Sequence, residues 1–189
     1  MKKFTFVFIT VLAALLFSGC SEAGQDPVTY AIGDIGPSGA GIVFYVTTDG
    51  LHGLEAAPED QNGGAAVSWS SITDAFADGS SALPTDLGTG SANTDAIIDQ
   101  NGGAASAAQI CRDYTGGGLT DWFLPSKDEL NLLYGQKATV GNFITDDSYA
   151  YWTSSEGIAT SAYYQWFSNG SSGTTGKTMS HLVRAIRAF

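Results

Sequence analysis

An α+β fold is predicted for this chain, with small antiparallel sheets, two or three helices and long loops between them. Three observations predict it. Short β-branched and aromatic runs lie near both ends, Ile42–Val46 and Leu182–Phe189, while helical apolar spacing is confined to the middle of the chain. Stretches of Gly, Ser, Ala and Asp separate these segments, the longest from Glu59 to Gly90. The third observation is a corner at Thr120–Tyr134 (TDWFLPSKDELNLLY). There an apolar run, Trp122-Phe123-Leu124, is stopped by Pro125, which has no N–H to give a ladder. Ser126 with Glu129 three residues on has the form of a capping box, and Leu130, Leu133 and Tyr134 recur on one helical face.

The N-terminus predicts export. Lys2 and Lys3 precede an apolar run from Phe4 to Phe17 and then Ser18-Gly19-Cys20, the pattern of a leader with a small-residue cleavage site. The run is shorter than the ~20 residues a spanning helix needs. Phe17-Ser18-Gly19-Cys20 resembles a bacterial lipobox, although Phe17 is less usual than leucine at its first position. The expected division is a lipoprotein signal peptide (1–19), a lipidated tether (20–29) that begins at Cys20, and one domain (30–189). An ordinary secretory peptide cleaved nearby is the alternative. Ser21 after the cysteine favours the outer membrane or cell surface. The mature chain would carry six basic and nineteen acidic residues, net −13. With no basic patch, nucleic acid is not an expected partner. Once Cys20 is lipidated only Cys111 remains, so no internal disulfide can form.

Along the chain, Tyr30–Asp34 is expected to be a first short strand. Gly36-Pro37-Ser38-Gly39-Ala40-Gly41 is a turn-rich loop; it is not a phosphate cradle, because no GK[ST] follows and the next element is a strand. Ile42–Val46 is a central strand, Asp49-Gly50 a turn, and Gly53–Ala57 its hairpin partner, ended by Pro58. Within Glu59–Gly90, Trp69 and Phe76 are expected anchors. Ser91 or Asn93 can cap a helix through Ile98 that Gly102-Gly103 ends. Ala104, Ala107, Ala108 and Cys111 make a small apolar stripe on a second helix, with Cys111 a buried hydrophobe rather than a reactive thiol. After the Ser126 helix, Tyr151–Ser154, Ala162–Phe167 and Leu182–Phe189 are strand-like, and Asn169-Gly170 is a hairpin turn.

Several ordered motifs resemble one family: Gly33-Asp34 with Gly36-Pro37, Gly53–Pro58, Asp121–Ser126, Tyr151–Glu156 and Val183–Arg187. Together they resemble the C-terminal domain of the Legionella collagen-like adhesin, a domain recurring in bacterial surface proteins. The resemblance implies a C-type-lectin-like α+β fold, distantly akin to formylglycine-generating enzymes. The collagen-like stalk of that adhesin is absent here. The strong acidity of this chain argues against attraction to sulfated polysaccharides.

No catalytic constellation stands out, so a non-enzymatic protein without cofactor is expected. A formylglycine-generating oxidase would need paired cysteines. His52, His181 and Cys111 lack zinc-ligand spacing, and no G-x-S-x-G elbow supports a hydrolase. Asp60, Asp74, Asp78 and Asp86 have no EF-hand spacing, and the calcium-holding triplets of sugar-binding C-type lectins are missing. A binding surface is better supported. Ala162-Tyr163-Tyr164-Gln165-Trp166-Phe167 is aromatic at both strand parities, so either one face carries rings outward or the segment is two-sided core. The outward choice is Tyr164 and Trp166, with Ser155, Glu156 and Asn169 adding polar contacts for a glycan or protein ligand. The competing class is a structural envelope lipoprotein without a dedicated ligand, and an uncharacterised hydrolase is a distant third.

Overall fold

The computed structural model describes residues 26–189; the expected leader, the lipidated Cys20 and the start of the tether lie outside the described residues. In chain order come β1 (Ile42–Val46), β2 (Gly53–Ala56), β3 (Val67–Ser68), α1 (Gly90–Gln100), α2 (Ala107–Arg112), α3 (Lys127–Gly135) and α4 (Lys137–Val140). Then follow β4 (Tyr151–Ile158), β5 (Ser161–Gln165), β6 (Ser172–Gly176), β7 (Ser180–His181) and β8 (Ile186–Ala188). The strands form three small antiparallel sheets, β1-β2-β8, β3-β7 and β4-β5-β6. The fold is α+β, with the last strand closing on the first hairpin.

Two apolar cores share the interior, and three extended segments run between them. Trp122, Leu124, Trp152 and Val183 pack into one core with Trp69, Ile97 and Cys111. Phe123, Tyr151, Leu182 and Ile186 pack into the other with Phe44, Leu130, Leu133 and Phe167. Successive side chains of extended backbone point to opposite sides, so a segment between two cores can be apolar at every position. This is why Trp122-Phe123-Leu124 reads as an unbroken run.

The capping box at Ser126 forms: Ser126 N–H donates to Glu129 Oε2 at 2.7 Å, and Glu129 N–H donates to Ser126 Oγ at 3.3 Å. Leu130 and Leu133 are buried behind it. The first hairpin forms as expected, with Ile42 paired to Ala56. Trp69 is a buried anchor.

Four local expectations are corrected. Residues 30–34 form no strand; Asp34 accepts from Ala31 N–H and Gly33 turns the chain with φ +95°. Neither Ser91 nor Asn93 caps α1, because both lie inside it and Thr89 stands at the N-cap position; the Asn93 amide instead donates to Pro84 O at 2.8 Å. Ala104 falls outside α2, which Ser106 caps by accepting from Gln109 N–H. Of the C-terminal run Leu182–Phe189 only Ile186–Ala188 is strand, apart from a single bridge at Leu182; between them Arg184 turns inward to bond Ala57 O and Asn142 O.

Candidate functional site

The buried carboxylates define what is scaffold. Glu55, in β2, accepts from Ser38 Oγ at 2.7 Å and from Arg187 Nη1 at 2.9 Å. A Cβ at Gly36 or Gly41 would run into its carboxyl group, so the glycine loop before β1 wraps a protein carboxylate. Glu129 accepts from Gly88 N–H as well as Ser126 N–H, and burial raises its pKa. Gly90 leaves room for that carboxyl, which a Cβ would strike.

Glu156 corrects an expectation. It is buried within β4, where Lys177 Nζ donates to Oε1 at 2.6 Å and the N–H groups of Ala77 and Leu83 approach at 3.2 Å. Lys177 also donates to Ala75 O and lies 4.7 Å from the Trp69 ring centroid. Glu156 therefore gathers a loop and a buried ammonium and offers nothing to a ligand. Ser155 is likewise internal: its Oγ donates to Pro84 O at 2.7 Å and accepts the Lys127 N–H at 3.1 Å, satisfying an orphan donor at the start of α3. Proximity in sequence to the aromatic run suggests a surface position for both. Their partners lie 21 and 71 residues away.

The other expected residues stay near the surface. Tyr164 and Trp166 are half-buried and Asn169 is exposed in the β5–β6 turn, its Oδ1 accepting from Ser171 N–H. Ala162, assigned to the outward parity, is buried, so that parity does not point wholly to solvent. Tyr164 lies beside a core instead, paired with buried Trp152 across β4–β5. Tyr164 and Trp166 stand 5.2 and 6.3 Å from the His181 ring centroid. The imidazole is buried with neither nitrogen partnered among the described residues, and burial pulls its pKa down to about 4.

On the α3 side, Tyr163 and Gln165 face Lys127 and Asn131. The Lys127 ammonium is 5.3 Å from the Tyr163 centroid, and Gln165 Nε2 donates to Asn131 Oδ1 at 2.9 Å. Here Lys127, Asp128, Asn131, Gln165 and Ser172 line a polar cavity of about 180 Å³. None of these five is among the expected site residues, because the cavity exists only once α3 is laid on the hairpin. A wider groove of about 510 Å³ passes Glu59, Asp60, Asn142 and Phe143. Its interior is closed: Arg184 and Tyr151 both bond Asp60, Tyr151 accepts from Ile144 N–H, and the guanidinium lies 3.9 Å from the Phe143 centroid. Burial raises the Asp60 pKa.

Among the described residues no three His, Cys, Asp or Glu side chains come together as metal ligands. Cys111 is buried, and burial pushes its thiol pKa up. Among the described residues no helix is long and apolar enough to cross a membrane.

Comparison with curated proteins finds no match. A solved structure of a fimbrial protein from Bacteroides ovatus is similar at 16% identity and a TM-score of 0.48, covering 78% of this chain and 43% of that one. The chain therefore spans less than half the length of that protein. The family model of the Lcl C-terminal domain matches residues 59–187, including the capped corner, the β4–β6 hairpins and the polar cavity between them. This chain belongs to the Lcl C-terminal domain family.

Proposed function

We propose that this chain is a non-enzymatic adhesion module on the bacterial cell surface, held by lipid on Cys20, that binds an extracellular glycan or protein. Its family membership supports surface adhesion. The observation that carries the binding role is the β5–β6 hairpin. Half-buried Tyr164 and Trp166 and exposed Asn169 sit there on a sheet braced by buried Glu156–Lys177. Rings held rigidly at a surface lose little conformational freedom on binding. The C-type-lectin-like arrangement belongs to this proposal and is supported by the small antiparallel sheets and by the last strand pairing with the first hairpin.

The test is an array of glycans and extracellular-matrix proteins probed with the purified full chain and its Trp166→Ala variant. Saturable binding to a defined ligand is expected, weakened by more than about 2 kcal/mol in the variant while its Tm stays nearly unchanged. Binding to nothing on the array, or a variant that unfolds, would return the rings to a structural role.

A further inference from the structure

The segment that leads into β1 leaves apolar side chains in the open. Of the eight large apolar side chains exposed among the described residues, three fall within positions 28–35: Val28 at 64%, Ile32 at 46% and Ile35 at 64%. Exposed aliphatic residues scattered singly need no explanation, but a group of them on one segment does. The segment is not loose. Tyr30 N–H donates to Gly50 O and Gly33 N–H to Val43 O, both at 2.8 Å, and Val43 N–H donates back to Asp34 O. Ile35 forms a bridge with Ile42, and the Tyr30 ring packs edge-on against Phe189. β1 is the outermost strand of the β1-β2-β8 sheet. The segment is therefore strapped along the free edge of that sheet, and its exposed aliphatic side chains line that edge.

The length of chain before Asp26 says what covers this edge. Cys20 precedes Asp26 by six positions, and six residues span at most about 22 Å however they run. A lipid on Cys20 thus holds the start of the strap within that distance of the membrane surface. A leash this short keeps the local concentration of lipid high, so a small apolar contact is enough to hold. Charge decides the kind of contact. No Lys or Arg occurs between Lys3 and Arg112. Asp26 and Asp34 lie on the strap, and Asp49 lies beside it in the turn that receives the Tyr30 N–H. Anionic headgroups would be repelled here, so aliphatic side chains entering a neutral interface must supply the attraction.

We propose that the edge carrying Val28, Ile32 and Ile35 lies against the membrane, its aliphatic side chains seated among neutral lipid headgroups. This rests on the lipid anchor at Cys20. The lipidated full chain is reconstituted into phosphatidylcholine vesicles that carry a spin-labelled phosphatidylcholine. A fluorescent thiol probe is placed at Ala31→Cys or, for comparison, at Ala104→Cys in the α1–α2 connection. Both positions are exposed, Cys20 is capped by lipid and Cys111 is buried, so the probe finds one thiol. Quenching should be at least about threefold stronger at position 31 than at position 104. Combining Val28→Ser, Ile32→Ser and Ile35→Ser should remove most of that difference and leave Tm nearly unchanged, since all three side chains are exposed. If the triple variant does not fold, Ile35→Ser alone takes its place. Phosphatidylglycerol in the vesicles should leave the quenching unchanged or weaken it. Equal quenching at the two positions, full quenching in the serine variant, or stronger quenching on anionic vesicles would overturn the proposal. So would a dimer in detergent that the serine variant abolishes, which would make a second copy the occupant. Palmitate on Cys20 without quenching at position 31 removes the docked edge and leaves the anchor standing. No palmitate on Cys20 removes both.

Discussion

Glu156 and Gln165 are buried polar side chains on adjacent strands of one sheet, and their surroundings could hardly differ more. Both Glu156 oxygens are engaged, by a buried ammonium and by two backbone N–H groups. Gln165 has its amide nitrogen doubly occupied, while its buried oxygen has no partner among the described residues. Burial alone therefore does not separate scaffold from site. The useful distinction is whether every donor and acceptor already has its counterpart in the chain.

The sharpest way to break this contrast is to open the closed side. Lys177→Met removes the only cation bonded to Glu156 among the described residues and leaves a carboxylate inside the protein. A loss of about 3–5 kcal/mol in chemical denaturation is expected. Adding Glu156→Met to that variant should recover much of the loss, since removing both charges avoids the unpaired one. If Lys177→Met is nearly neutral, the pair is not closed against solvent.

The next largest effect is pH-dependent and comes from His181, another buried group without partners. Its folded pKa is about 4 against an ordinary 6.5, so the unfolded chain takes up the proton first. The contribution of the neutral imidazole is complete above about pH 6.5 and is lost as pH falls towards 4, up to about 3 kcal/mol. Glu129 and Asp60, raised by burial, work in the opposite sense. The readout is therefore the stability of wild type minus that of His181→Phe across this window. A difference that does not change with pH would show that the imidazole titrates normally.

A smaller effect belongs to the capping box. Ser126→Ala removes the acceptor for Glu129 N–H and the bond to Asp86 O, and should lower stability by about 0.5–2 kcal/mol without altering ligand binding. Loss of binding with unchanged stability would move Ser126 from scaffold to site. Outside the described residues, Cys20→Ala should abolish incorporation of labelled palmitate. Equal labelling of that variant would remove the lipid anchor.

What the sequence made legible was local. The first hairpin and the capping box could be read because their partners lie within a few residues, and the small-residue face of α2 followed from helical spacing. Glu55–Arg187, Asp60–Arg184 and Glu156–Lys177 were not legible, because they join residues 132, 124 and 21 positions apart. The Gly36–Gly41 loop shows the limit well. Its glycines were visible, but the Glu55 carboxylate they make room for comes from the next hairpin strand. The aromatic run at 162–167 was rightly ambiguous: Tyr164 leans on one core and Phe167 fills the other. The polar cavity stayed hidden because its lining combines α3 with the far side of the hairpin.

The contrast between closed and open polar groups is tested most directly by melting Glu156→Met and Gln165→Met side by side. Glu156→Met should be strongly destabilised, by about 3–5 kcal/mol, because Lys177 is left charged and buried. Gln165→Met gives up two hydrogen bonds but also removes the unpartnered acceptor, and exposed Asn131 can turn to water, so a loss below about 2 kcal/mol is expected. Equal and large losses in the two variants would contradict the distinction, and would make Gln165 as much a part of the scaffold as Glu156.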